Sequence, residues 1–367
     1  MRPSSSFRTA LILVGSISAL TIAACGRDGF SPSGASTDNP ENDAQTIVVR
    51  PAPTPAPQNE ELAICSNLSL KDIVWPTALD YSGKRSIALG LNISGSFEGG
   101  SGWKNITNNF DGQGLSLGLL NQCLGQGSLQ PLMIKMRDRY SAALKTLYTS
   151  AHYASLTGML SNWQGTAKTA DYVESMREGD GDEGLRADGR LSDLDKLPDG
   201  SDGTGQQESS SSESVVWAKQ NLYTDGGSTF QSTWKKELQA MSGHPFYVSI
   251  QIEAALSLHT KALSYMKTLG LHQLRSYLML FDINVQNGGL YSADIAAFKA
   301  AFPDGSTADE TTRLKKILEI RLTHVIAKYK NDVNSRKLSI INGLGVVHGS
   351  SRNYPKEYCF APTDKIL

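Results

Sequence analysis

The chain has 367 residues, 40% of them hydrophobic and 8% aromatic, with a formal net charge of −1. That is globular composition, enough for one large core or two moderate ones, and it excludes a wholly disordered chain. The charge is uneven: residues 178–213 carry a net −8 and residues 26–64 a net −4, which leaves +9 on the remainder once Arg2 and Arg8 are set aside. A basic folded body suits an anionic partner such as a cell wall or a membrane surface. Nothing in the sequence points to nucleic acid, a nucleotide or a redox cofactor.

Arg2 and Arg8 precede an apolar run over residues 9–24, too short for a stable membrane span and fitting a secretory signal peptide, 1–24. The run ends Ile22-Ala23-Ala24-Cys25, small residues before a cysteine that resemble the bacterial lipobox; Cys25 is then the expected lipidation site and the mature N-terminus. Neither Gly26 nor Arg27 is the aspartate that commonly retains lipoproteins at the inner membrane, so an exported protein facing the periplasm from the outer membrane is expected, or one released to the wall. Residues 25–61, centred on Pro51-Ala52-Pro53-Thr54-Pro55-Ala56-Pro57, are too polar and proline-rich to build a core and read as a disordered tether. In an exported protein disulfides persist. Cys65 and Cys359, near the two ends of the folded part, are expected to pair, leaving Cys123 as a buried thiol. The histidines are scattered and no C-x-x-C occurs, so no metal site is expected.

The folded part is expected from Leu62 to the end. Ile87, Leu89, Leu91 and Ile93 fit a strand or a helix face equally; Gly99-Gly100 as a stop signal favours a helix ending at Glu98. From Trp103 to Gly118 the glycines, Asn108-Asn109 and Asp111-Gly112 read as a small turn-rich β-region. Ser128 reads as the N-cap of a long helix over 129–149, with Pro131 in its first turn. Residues 178–214 read as an acidic flexible insertion; Asp180-Gly181-Asp182-Glu183 lacks the spacing of a calcium loop. Beyond Trp217 the pattern is helical: one apolar face through Val248, Ile252, Ala255, Leu263 and Met266, a buried helix over 274–285, a capping box of Thr307 with Glu310, and a last helix over 332–342.

Between Phe97 and Pro131 lie eight glycines, many amides and hydroxyls, and only three charges, Glu98, Lys104 and Asp111. Two carboxylates so placed have the makings of a glycosidase: one acid protonates the leaving oxygen while the other activates water or attacks. Phe97 and Trp103 are expected to desolvate Glu98 and keep it protonated, while Asp111 in its polar turn stays ionised. The blander alternatives are a helix-end glutamate paired to a cation and an ordinary Asp-Gly turn.

Asp111-Gly112-Gln113-Gly114, then Leu115-Ser116, Gly118, Leu119-Leu120, Cys123 and Gly125-Gln126-Gly127, resembles the active-site region of the family 46 chitosanases, members of the lysozyme superfamily. Phe281-Asp282 with Val285 and Gly288 is weakly similar to a later helix of that family. The resemblance implies a mainly α (α+β), lysozyme-like fold: a helical domain with a small β-region beside a cleft. It implies catalytic roles for Glu98 and Asp111, and for Ser116 a hydroxyl that helps hold the attacking water. The gap from Glu98 to Asp111 is shorter than in the chitosanases. Trp103, Gln113, Gln126, Asp282, Gln286 and Asn287 are candidate substrate-binding residues, although Asp282, in an apolar helix, has a structural role as its alternative. His348 is either a substrate contact or a loop histidine.

These readings converge on a monomeric, lipid-anchored glycosidase acting on peptidoglycan, the amino-sugar polymer within reach of such a tether, with a taste for de-N-acetylated glycan. The alternatives are a true chitosanase and a non-catalytic wall-binding lipoprotein.

Overall fold

The computed structural model describes residue 50 and residues 56–177, 207–303 and 305–366. The signal peptide, Cys25 and its lipidation, most of the tether and residues 178–206 of the acidic insertion lie outside the described residues. The protein is mainly helical with three small antiparallel sheets among the described residues.

Order begins earlier than Leu62. Strand β1 (Gln58–Asn59) pairs with β2 (Ile64–Cys65), and Ala56 donates its backbone N–H to Glu357. The end of the expected tether is thus part of the fold, pinned where Cys65 bonds Cys359 across 294 residues, as the sequence led one to expect. Closing so long a loop removes much unfolded-chain entropy, up to about 5 kcal/mol in the loop-closure picture.

Helix α1 (Tyr81–Glu98) settles the ambiguity of Ile87 to Ile93. It starts on Asp80, whose carboxylate accepts from the Gly83 N–H at 2.7 Å, and stops at Gly99, φ +155°. Ser86 to Gly95 are buried on every side of it, so no amphipathic face could show in the sequence. Its glycines admit neighbours: a Cβ on Gly90 would lie 2.9 Å from the Phe281 ring.

After α1 the chain forms a three-stranded sheet, β3 (Ile106–Thr107), β4 (Ser116–Leu117) and β5 (Gln122–Cys123), in the order β3-β4-β5. Helix α2 (Gln130–Arg139) follows without the expected Ser128 cap. The Ser128 hydroxyl instead accepts from the Cys123 N–H and donates to the Cys123 carbonyl, closing the turn after β5. The expected helix 129–149 is two helices: Tyr140 leaves helical dihedrals, its ring stacks on Phe246 at 4.3 Å, and α3 (Ser141–Leu147) begins afresh.

Helix α4 (Ser150–Arg177) runs towards the insertion, and α5 (Gln207–Asn221) returns from it. The expected flexible segment 178–214 therefore ends sooner: residues 207–214 are helical and Ser214 is 1% exposed. Then come α6 (Ser232–Ser242), α7 (Pro245–Leu269), α8 (Leu274–Asn287), α9 (Ser292–Ala301), α10 (Glu310–Leu322), α11 (Lys330–Asn342), the hairpin β6 (Leu344–Val347) with β7 (Ser350–Asn353), and α12 (Tyr354–Tyr358). The Thr307–Glu310 capping box does not form. Asp309 caps α10, and the Glu310 carboxylate reaches back to accept from the N–H groups of His272 and Gln273, at the start of α8.

Two hydrophobic cores result. The first joins α1, α8, α10 and α11; the second joins β4 and α2 to α6. Helix α7 serves both, giving Val248, Ile252 and Ala255 to the first and Tyr247, Ile250 and Ala254 to the second. A 25-residue helix with Pro245 at its first turn and Gly270 as a left-handed cap supplies two opposed apolar stripes. Among the described residues no helix is long and apolar enough to cross a membrane.

Candidate active site

Glu98 is the last residue of α1, and the stop that places it is steric. Asn105 donates its side-chain amide to the Glu98 carbonyl at 2.7 Å and fills the space where a Cβ on Gly99 would stand. Only a glycine accepts both that approach and the positive φ.

The Glu98 side chain, 11% exposed, meets a guanidinium rather than an apolar pocket: Oε1 accepts from Arg336 Nη1 at 3.0 Å. Arg336, 3% exposed, lies 4.2 Å over the Phe97 ring. Phe97 therefore carries the cation instead of drying the acid, and the expected desolvation by Phe97 and Trp103 is corrected. Trp103 is 6% exposed, donates its indole N–H to the Ser69 carbonyl at 2.9 Å, and belongs to the first core, not to a substrate surface.

Arg336 turns the rest of its guanidinium to Asp282. Nε lies 3.1 and 3.0 Å from the two carboxylate oxygens and Nη2 lies 2.7 Å from Oδ1, while Lys337 Nζ bonds Oδ2 from the other side. Asp282 and Lys337 are wholly buried. Burial pushes the Asp282 carboxyl up, but Arg336 and Lys337 outweigh it and hold it well below the usual carboxylate range. Burial pushes the Lys337 ammonium down to about 8 against the pull of Asp282. The Arg336 guanidinium is driven up: burial opposes its charge, and Asp282 and Glu98 override that.

Asp282 is consequently no sugar ligand, because both its oxygens are committed inside the protein. Gln286 is likewise spent, with Oε1 accepting from Lys337 at 2.7 Å and Nε2 donating to Asp332 at 3.1 Å. The Asn287 carbonyl accepts from Arg321, and its side-chain oxygen is buried. These three expected substrate contacts are corrected to structural roles. Asp282 is wholly buried with both oxygens bonded, and the half-buried Gln286 has both ends of its amide bonded within the protein.

Asp111 belongs to a different setting. A single 3-10 turn, Asn109–Asp111, precedes Gly112 in the left-handed region at φ +80°. Asp111 Oδ1 accepts from the Gln113 N–H at 3.0 Å, Asn109 Oδ1 from the Gly114 N–H at 2.6 Å, and Asn108 donates to the Ser228 carbonyl at 2.6 Å. The Asn108 and Asn109 amides and the Asp111 carboxylate together hold the turn. Tyr223 donates to the Gly114 carbonyl at 2.6 Å, and burial first, the Asp111 charge second, push its hydroxyl up. Gln113 is half-buried beside Gly125 and Gln126 is exposed.

Ser116 is 1% exposed in β4, between Thr107 and Cys123. A hydroxyl closed off in the sheet cannot hold water in an open cleft, so its expected catalytic role is corrected. Cys123 is fully buried as expected but is not a free thiol.

Sequence reading missed Arg336 and Lys337. The signal was Asp282 in an apolar helix, which demanded a partner, but nothing local says that it comes from α11. Phe110 was missed as well: it is 59% exposed immediately before Asp111, a free aromatic face beside a carboxylate. A cavity of about 290 Å³ between α4 and α5, lined by Ser155, Asn162, Trp163, Glu213 and Trp217, touches neither carboxylate. Among the described residues no group of three His, Cys, Asp or Glu side chains could hold a metal ion.

Compared with known proteins, the chain matches no family model, no curated protein sequence and no solved structure.

Proposed function

We propose that the chain is a glycoside hydrolase of lysozyme-like fold that cleaves β-1,4 bonds between amino sugars of peptidoglycan. Glu98 is the general acid and Asp111 the general base or nucleophile. The observation that carries this reading is the fixing of Glu98 at the end of a buried helix by Arg336, beside a β-region that presents Asp111 in an otherwise uncharged turn.

Two features of the arrangement support this reading. Arg336 takes one oxygen of Glu98 and leaves the other for the leaving oxygen of the sugar. Asp282 occupies Nε and Nη2 of the same guanidinium, but Lys337 bonds Asp282 as well, so the two cations balance only against Asp282 and an ionised Glu98; the array aims Glu98, which takes up its proton before it acts as the acid. Asp111, half-buried and held by the Gln113 N–H, is the second carboxylate, acting on the opposite face of the sugar.

The basic body, the lipobox-like leader and the tether favour the cell wall, a carboxylate-bearing polymer, as substrate. The resemblance of the Asp111-Gly112-Gln113-Gly114 stretch to chitosanases favours glycan with free amines, and a soluble chitosan substrate is the second reading. Digestion of acetylated and de-N-acetylated sacculi, with products identified by mass spectrometry, tests both. The Glu98→Gln protein is expected to lose at least 1,000-fold in hydrolysis, on the order of what a lost acid and its alignment supply, while still binding sacculi. Equal digestion of sacculi by that variant would remove Glu98 from the mechanism.

A further inference from the structure

The hydrogen bonds that hold Glu98 do not stop at Asp282. Lys337 Nζ passes from Asp282 to Gln286 Oε1 at 2.7 Å, Gln286 Nε2 to Asp332 Oδ2 at 3.1 Å, and Asp332 Oδ1 to His348 Nε2 at 2.6 Å. A continuous polar chain thus runs from the candidate acid, through buried charge, to an imidazole at the surface. It has a second strand: the His348 ring meets the Phe97 ring edge to face at 6.5 Å, and Arg336 lies on Phe97.

The backbone at His348 is costly. Val347 pairs with Ser350, so His348 and Gly349 are the two central residues of the hairpin turn, with φ of +49° and +71°. Turns with both central residues in the left-handed region favour Asn-Gly, and a histidine there pays strain that Asn would avoid. The ring's own contacts are what the turn chemistry leaves unexplained. The groups that face it are Asp332 on α11 and Phe97 on α1; Arg336 and Lys337 stand behind them.

We propose that His348 is a positioning residue for Glu98: by pinning Asp332 and the edge of Phe97, it fixes the Gln286–Lys337–Asp282–Arg336 array that aims the acid. The proposal rests on the reading of Glu98 as general acid. As a surface contact, His348–Asp332 contributes little stability; its worth lies in removing freedom from Asp332, which also accepts from Gln286. Asp332 is held below the usual carboxylate range, chiefly by the His348 hydrogen bond.

The test is a double-mutant cycle of His348→Asn and Asp332→Asn on full-length protein, read by kcat, KM and the pH profile. Asn suits the turn, so His348→Asn is expected to keep or raise Tm. It is expected to lower kcat about fivefold with KM unchanged and to alter the pH profile, because the hydrogen bond that fixes Asp332 is lost. Asp332→Asn should act to the same extent, and the pair no more than either alone. A wild-type kcat and profile in His348→Asn, or effects that multiply in the double variant, would overturn the proposal. Titration of the Glu98 carboxyl by NMR in glutamate-labelled protein gives a readout without turnover. If wild-type protein digests no sacculi, the catalytic reading fails, yet the Glu98 titration must still move in His348→Asn; an unmoved titration overturns the coupling itself.

Discussion

Glu98 ends a helix sealed among buried charges, whereas Asp111 sits in a turn with hardly any charge, held by amide hydrogen bonds and left-handed glycines. The first wall is electrostatic: its parts come from α1, α8 and α11, and each cation is matched by a carboxylate across the first core. The second is conformational, since Asn108, Asn109, Gly112 and Gly114 set the backbone and Asp111 follows. On the roles proposed for them, the proton-exchanging group lies in a charged environment and the other carboxylate in a fixed turn. The contrast also says how each should fail.

The largest effect is expected at the charged wall. Arg336→Met leaves Glu98 without its partner and Asp282 with Lys337 alone, and breaking a buried ion array in this way costs about 3–5 kcal/mol. Denaturant unfolding should show that loss, with hydrolysis falling along with it. A variant as stable as wild type would mean that the array contributes aim but no stability.

Acid should separate the two cores next. His259, 6% exposed in the first core and bonded to the Tyr277 hydroxyl at 2.9 Å, is pushed by burial from 6.5 to about 4. The unfolded chain therefore takes up the proton first, so stability is lost as pH falls from 6.5 towards 4. For that shift the loss is about 3 kcal/mol. The shifted tyrosines of the second core, Tyr148 and Tyr247, have hydroxyls raised by burial, so acid leaves them unchanged. Unfolding free energies of wild type and His259→Gln across this window are expected to differ in slope, the variant being flatter. Parallel slopes would put the acid sensitivity elsewhere.

The smallest expected effect belongs to the Asp111 wall. Gly114 has φ +78°, and a Cβ there would lie 3.0 Å from the Val215 backbone. Gly114→Ala should cost about 1–2 kcal/mol of left-handed strain and lower kcat through a displaced Asp111, with the Glu98 NMR titration unmoved. Movement of that titration would show the two walls to be one coupled unit.

What could be read in advance follows the same division. The amide-rich turn around Asp111 was legible because its chemistry is local: Asp-Gly, Asn-Asn and spaced glycines specify a turn from within a few residues. The Cys65–Cys359 bridge was legible because both cysteines lie near the ends of the folded part of a chain expected to be exported. Helix α1 was half legible, its stop at Gly99 visible and its period not, because burial on all sides leaves no stripe to detect. Trp103, Ser116, Gln286 and Asn287 were misplaced for a common reason: polarity or aromaticity shows that a residue can bind a sugar, not whether it faces one.

By itself the sequence determined a mainly helical protein, the end of the helix at Glu98, the turn at Asp111 and a carboxylate, Asp282, in an apolar helix where burial demands a partner. Only the tertiary structure decided that this partner is Arg336, that Lys337 and Gln286 complete the array, and that it reaches His348. The reason is distance along the chain: hydrogen-bond caps and turns are fixed by neighbours a few residues away, whereas a buried charge is satisfied by whichever helix packing brings beside it. Here α11 lies more than 200 residues from Glu98 in sequence and within a hydrogen bond of it in space.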